Sequence, residues 1–154
     1  RNCRAECMHT AIETSFFAPW ETIKSILPYV NLAFVDMKFF SNDLHKQYTG
    51  MDNELIKQNL LATNELEDKF QLVIRTPIIP GLNDSEEELC KIGEFCTKLK
   101  KLSYVQLLPY HKLGTATYEK LGRTYALPDI KSPTPDQMAG YVKIIERYVE
   151  NVIF

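Results

Sequence analysis

No stretch of the 154 residues is apolar for long enough to cross a membrane. The opening Arg1-Asn-Cys-Arg-Ala-Glu-Cys7 lacks the apolar centre of a secretion signal. Gly/Ser linkers, internal repeats and low-complexity tracts are missing. So is any excess of one charge: 18 basic residues face 20 acidic ones, for a net charge of -2. That balance argues against a broad basic footprint for nucleic acid. There is no Gly-x-Gly-x-x-Gly, no Walker sequence and no serine in a nucleophile elbow. Of the four cysteines, Cys3 and Cys7 stand four apart, but a third cluster cysteine would fall at position 10, which is Thr10. Cys90 and Cys96 have the wrong spacing, so neither an iron–sulfur nor a zinc signature is complete. Four reduced cysteines on the helices of a cytoplasmic protein is the reading that remains.

What is present is a soluble, globular composition: 45% hydrophobic and 25% charged residues. The length suits one domain with a real core. Its start, without methionine and running from a polar helical stretch straight into a strand, reads as the boundary of a truncated piece.

Strand and helix patterns alternate. Residues 8–15 read as a strand and 19–29 as a helix, with Pro19 at its first position. A strand over 32–39 is followed by a polar loop over 41–52, then a helix over 53–63. A β-rich strand over 70–79 stops at Pro80-Gly81. Asp84 with Glu87 reads as the capping box of a helix over 84–100, and 104–109 as the next strand. A long connection over 111–133, in which Gly114 and Gly122 flank residues 115–121 without making a phosphate loop, precedes a Thr134/Gln137 capping box and a helix to about 149. Residues 151–154 form a candidate last strand. Successive strands separated by helices mean parallel βαβ units, in an open doubly wound sheet or in a barrel or partial barrel.

Charge collects at the strand ends. His9, Ala11 and Glu13 share a face of the first strand; Phe34, Asp36 and Lys38 one of the second. Val73, Arg75 and Pro77 share a face of the third, and Val105, Leu107 and Pro109 one of the fourth, which His111 would continue. Singly, each has a bland explanation: Asp36 and Lys38 can pair with neighbours, Arg75 can bind carbonyls, and His111 can be solvated. Together, at the end of parallel strands where ligands bind, they describe a pocket for a small zwitterionic or anionic cofactor with ribose hydroxyls.

Five segments carry a resemblance: His9-Thr-Ala-Ile-Glu-Thr-Ser15, Val35-Asp-Met-Lys-Phe39, Ile74-Arg-Thr-Pro-Ile-Ile-Pro-Gly81, Leu107-Leu-Pro-Tyr-His-Lys-Leu-Gly114 and Tyr118-Glu-Lys-Leu-Gly-Arg-Thr-Tyr125. In this order they resemble the C-terminal part of the glycyl-radical-enzyme activating enzymes, with those of the pyruvate formate-lyase type foremost, in the radical S-adenosylmethionine (SAM) superfamily. The resemblance covers essentially the whole chain. It implies an α/β fold, about four parallel strands of a partial (β/α)6 barrel, as a single truncated domain over 1–154. The family's cluster cysteines and Gly-Gly-Glu motif are not in this stretch.

The resemblance also implies roles. Asp36 and Lys38 meet the SAM ribose and carboxylate region. Arg75 contacts SAM, Pro77 lies beside the adenosine, and His111 stands at the adenine end with residues 108–110 as wall. Glu13 and Thr14 match an Asp-Thr pair that, with Asp36, helps hold a monovalent cation; Glu replaces Asp here. Phe16 stands where many relatives have glycine, at the mouth that admits the partner. In the intact family a [4Fe-4S] cluster reduces SAM, and the resulting 5′-deoxyadenosyl radical takes hydrogen from a glycine of the partner enzyme. Flavodoxin or ferredoxin donates the electron, in the cytoplasm of cells in anaerobic metabolism. The isolated chain is then expected to be inactive, to bind SAM weakly and to self-associate. Two other readings stay open: a radical SAM-derived binding domain that does no cluster chemistry, and an unrelated small α/β enzyme with a carboxylate–lysine site.

Overall fold

The computed structural model describes residues 2–67, 69–113, 115–125 and 127–154; Arg1 and Gly114, used above, lie outside them. One parallel sheet of five strands forms the centre, in the order β1 (Ala11–Thr14), β2 (Leu32–Asp36), β3 (Gln71–Ile78), β4 (Leu102–Pro109) and β5 (Val152–Ile153). A short α1 (Asn2–Ala5) precedes β1, and α2 (Trp20–Ile26) joins β1 to β2. Then come α3 (Asn42–Thr49) and α4 (Glu54–Ala62), α5 (Glu86–Cys96), α6 (Thr115–Lys120) and α7 (Pro135–Ile145).

Spatial order follows chain order. A right-handed crossover that always advances in the same direction puts successive helices on one face, which selects the partial barrel over the doubly wound sheet. Burial agrees. Ala33, Val35, Leu72, Ile74, Val105 and Leu107 form one core with Ile23, Leu27, Ile56, Leu60, Leu89, Ile92, Met138 and Ile145 of the helices. The alternate residues Leu32, Phe34, Asp36, Arg75, Pro77, Gln106 and Leu108 are only half-buried, on the opposite face. That face corresponds to a barrel interior, left open here among the described residues.

Several boundaries differ from the sequence reading. The polar loop expected over 41–52 contains α3. Ser41 caps it by accepting the Leu44 N–H at 3.5 Å, and Gly50 closes it in the left-handed conformation at φ 86°. Only His45 of this helix is buried, so its apolar periodicity is too weak to read. Ser85, not Asp84, caps α5, taking the Glu88 N–H at 3.2 Å. Asp84 instead accepts the Gly81 N–H at 2.7 Å and the Tyr141 hydroxyl at 2.8 Å, which raises the Tyr141 pKa to about 12 together with burial, the larger cause. The first strand is shorter than read because only Ala11–Thr14 pairs with β2. The Thr134/Gln137 capping box is present in both directions. Among the described residues no helix is long and apolar enough to cross a membrane.

All four cysteines are free; Cys3 lies on α1 and Cys90 and Cys96 on α5, while Cys7 sits past the end of α1 at φ 57°. Burial raises the Cys96 thiol from the ordinary 9 to about 12. The fold therefore favours the neutral thiol. That stabilisation is complete below about pH 9 and is lost as pH rises toward 12. At pH 8, mass-mapped alkylation of the folded chain should modify the exposed Cys3 and Cys7 rapidly and Cys96 only after denaturation. Fast labelling of Cys96 in the folded protein would contradict this burial.

Candidate functional site

The parallel register brings the C-terminal ends of β1 and β2 beside Arg75, three residues before the end of β3. The ladder places Glu13 beside Phe34 and Asp36 beside Arg75. Arg75 is the centre of what forms there. Its Nη2 lies 3.0 Å from Glu13 Oε2 and 3.1 Å from Asp36 Oδ1, and its Nε donates to the same Asp36 oxygen at 3.1 Å. Lys38 Nζ donates to Asp36 Oδ2 at 3.0 Å. The guanidinium also stands 5.2 Å from the centre of the Phe34 ring, within cation–π range. The hydrogen bond to Glu13 is the main cause that holds Arg75 above its ordinary pKa, with Asp36 adding to it against partial burial. Exposure grades across the cluster: the Arg75 side chain is 16% exposed, that of Asp36 28% and that of Glu13 68%. The Glu13 end is therefore the one open to solvent.

Beside the cluster, Phe17, Asp36, Lys38, His45, Thr49 and Met51 help line an open cleft of about 210 Å³. Ordinary ligand pockets run to roughly 300–1,000 Å³. A ligand of nucleoside size could place one end here and would extend along the open face of the sheet.

The other predicted residues are placed differently. The Thr14 hydroxyl accepts the Phe16 N–H at 3.0 Å, a local turn contact. Pro77 lies on the open face beside Leu108 of β4. A register shift between Leu72 and Val73 sets Tyr104 against Val73 and Gln106 against Arg75. Val105 and Leu107 consequently belong to the helix-covered face, and the open face of β4 is formed by Tyr104, Gln106 and Leu108. His111 follows the end of β4, is exposed, and accepts the Leu113 N–H at 3.4 Å through Nδ1. It has no contact with the Arg75 cluster among the described residues.

Sequence reasoning missed two residues here. His45 was read as part of a loop, yet it is buried, its ring edge-on to Phe39, and its Nδ1 lies 2.7 Å from the Met51 carbonyl oxygen. Since a carbonyl oxygen only accepts, Nδ1 is the donor in that contact. The pair Ser41 and Gly50, a cap and a stop, was the signal that could have revealed its helix. Asn83 is the second, and is fully buried behind the strand ends.

Phe16 corrects the expectation of a bulky residue at the mouth. It is 1% exposed, in the core, at φ 55°. Its carbonyl accepts from Asn59 Nδ2 at 2.8 Å. The neighbour Phe17 is the one that lines the cleft. Phe16→Gly would relieve about 1–2 kcal/mol of left-handed strain and lose about 3–5 kcal/mol of aromatic packing. A net loss of roughly 2 kcal/mol in a urea melt is expected; an unchanged or raised midpoint would mean strain outweighs packing.

Arg75→Met should destabilise the fold by about 1–3 kcal/mol, because it leaves two carboxylates without their shared cation. Adding Asp36→Asn should recover part of that loss, and the non-additivity is read from a double-mutant cycle in urea. Strict additivity would mean that the pair is not coupled.

A scan against protein-family models matches none. Among curated proteins, the chain is 34% identical over 146 residues to the indoleacetate decarboxylase activating enzyme of Tractidigestivibacter scatoligenes, covering 95% of this chain and 46% of that protein. It is 36% identical over 153 residues to the 4-hydroxyphenylacetate decarboxylase activating enzyme of Clostridium scatologenes, covering 99% and 48%. It is 37% identical over 130 residues to the isethionate sulfite-lyase activating enzyme of Nitratidesulfovibrio vulgaris, covering 84% and 42%. The chain thus spans about half the length of the curated relatives it matches. A solved domain of a pyruvate-formate lyase-activating enzyme from Bacteroides vulgatus superposes with a TM-score of 0.79 at 24% identity, over 99% of this chain and 85% of that one. A radical SAM methyltransferase from Sphaerobacter thermophilus shares the fold at a TM-score of 0.67 and 15% identity, over 97% of this chain and 42% of that one. A parallel sheet wound in one direction and these relatives agree: the chain is homologous, over about half their length, to glycyl-radical-enzyme activating enzymes.

Proposed function

We propose that this chain is the SAM-orienting part of an activating enzyme that generates a glycyl radical on a partner enzyme. The observation that carries the reading is the row of charge at the ends of β1 and β2 and across to Arg75 of β3: acid, acid with cation, cation. SAM bears a carboxylate, an ammonium, a sulfonium and a ribose diol. Lys38 and Arg75 can take the carboxylate, while Asp36 and Glu13 can take the ammonium or the ribose hydroxyls. Pro77 and Leu108 supply an apolar surface for the adenosine, and His111 is assigned to the adenine end. The residues present therefore fit SAM.

They do not fit a cluster. Among the described residues, no group of three or more His, Cys, Asp or Glu is arranged to hold a metal ion. Glu13 and Asp36 both turn to Arg75, so a monovalent cation shared by Glu13, Thr14 and Asp36 would have to displace that guanidinium. When bound beside an iron–sulfur cluster in a whole activating enzyme, SAM supplies the radical chemistry. The part of this chain is to bind and orient it and to exclude water. Partner choice, whether pyruvate formate-lyase or the decarboxylases and lyases served by the relatives, belongs to the same proposal, as do a flavodoxin or ferredoxin donor and a cytoplasmic location.

Calorimetric titration of SAM into the chain tests the reading. Weak binding is expected, and Asp36→Asn or Lys38→Ala should weaken it by about tenfold, the worth of one charge-assisted contact. Binding that is indifferent to both substitutions would move the ligand elsewhere. The gene upstream of the Arg1 codon separates the competing reading. An in-frame Cys-x3-Cys-x2-Cys followed by Gly-Gly-Glu supports an activating enzyme. A start codon close to Arg1 without them supports a binding domain that does no radical chemistry.

A further inference from the structure

The last ladder bond between β2 and β3 runs from the Met37 N–H to the Arg75 carbonyl, at 2.9 Å. Beyond it Pro77 has no N–H to continue the pairing. Lys38 and Pro77, both assigned to the ligand above, thus lie where strand pairing no longer fixes their separation. One side chain spans the gap. Asn83 Nδ2 donates to the Lys38 carbonyl and to the Pro77 carbonyl, each at 2.7 Å. Its Oδ1 accepts the Ile79 N–H, also at 2.7 Å. The residue is 0% exposed, so each of these contacts forms away from competing water.

The segment after Lys38 is held in the same manner. Asn53 Nδ2 donates to the Phe39 carbonyl at 2.6 Å and to the Phe40 carbonyl at 3.1 Å. The Glu88 carboxylate, 5% exposed and carrying no ion pair among the described residues, accepts the N–H groups of Phe40 and Ser41. Backbone atoms of residues 38–41 are therefore clamped from three directions, while the Lys38 side chain is left 40% exposed to act. Such an arrangement fixes where a flexible four-carbon arm begins, which is what a point-charge contact to a ligand requires.

We infer that Asn83 is a positioning residue for the site: by tying the Lys38 and Pro77 carbonyls together it sets the distance between the two strand ends that receive opposite parts of the ligand. The inference rests on the proposed SAM site for its ligand, and not for its geometry. Asn83→Asp is the direct test, because it keeps shape and removes both donors. Asn83→Ser retains a single donor and covers the case in which the aspartate does not fold. Asn64→Asp is the control. Asn64 also bridges backbone groups, donating to the Lys98 carbonyl at 2.7 Å and accepting the Lys100 N–H at 2.8 Å, but it is not among the residues of the cluster or its clamp.

The first measurement is on the unmodified chain. In nuclear magnetic resonance spectra the Asn83 side-chain amide protons should exchange slowly with solvent; rapid exchange overturns the inference whatever the variants do. Asn83→Asp or Asn83→Ser should then shift the Arg75 Nε–H and Lys38 side-chain signals and speed Arg75 Nε–H exchange severalfold. Asn64→Asp should lower stability while leaving those signals in place. Where SAM binds, Asn83→Asp should weaken it about tenfold, whereas Asn64→Asp should not. A folded Asn83 variant with unaltered Arg75 and Lys38 signals would refute the positioning role. Absence of SAM binding in the unmodified chain would count against the proposed function alone, and the spectra would still decide the role of Asn83.

Discussion

Winding in a single direction is the constraint from which the rest follows. Each connection moves one strand further along the sheet, and with the right-handed crossover general to parallel strands the helices have only one face to cover. The second face is left with side chains that are neither fully apolar nor fully solvated. Phe34 and Leu108 lie there with Asp36, Arg75 and Gln106. A doubly wound sheet of the same strands would have buried both faces and left charge only in a crevice at its switch point. Here the charge runs across the ends of β1 and β2 to Arg75 of β3.

That edge is neutralised from within. Arg75 serves two carboxylates, and Asp36 serves two cations, one on each oxygen. None of these groups is left alone in a half-buried place, which keeps the desolvation cost of the cluster modest. The same geometry explains why Asn83 matters. Ion pairs between long side chains tolerate backbone drift, and Pro77 ends the ladder just where drift would begin. A buried amide with two short donated bonds restores the constraint that the strand can no longer supply.

The strand ends were legible in the sequence because alternation is a strong code. Glu13, Phe34, Asp36, Val73 and Arg75 fall on one face by counting alone, and the ladder keeps them in step. Counting failed at β4. A register shift between Leu72 and Val73 changes which residues of that strand face Arg75, and no local sequence feature announces it. Helix α3 was missed for another reason. It buries a single residue, His45, so the periodicity that reveals a helix is nearly absent, while its cap and stop residues also suit a loop. Asn83 and Glu88 were invisible because their partners lie far away in the chain, and a polar residue in a turn or on a helix carries no mark of burial. Phe16 was misplaced because nothing in the sequence marks an aromatic residue for the left-handed conformation it adopts; it enters the core and Phe17 lines the cleft.

Internal neutralisation also sets how a ligand would bind. A zwitterion entering the cluster does not meet bare charges. It exchanges partners, its carboxylate taking Lys38 or Arg75 from Asp36 while its cationic groups take the carboxylates so released. The number of ion pairs then changes little, so the exchange nets no more than about one charge-assisted contact, roughly 1.5–3 kcal/mol. Charge at the strand ends therefore fixes orientation more than affinity. Affinity must come from apolar area, and on this chain that area is the open face of Phe34, Tyr104 and Leu108, walled on one side only. Closing a second wall over it would do more for binding than adding another ion pair, because it would remove water from the adenosine and from the cluster in the same step.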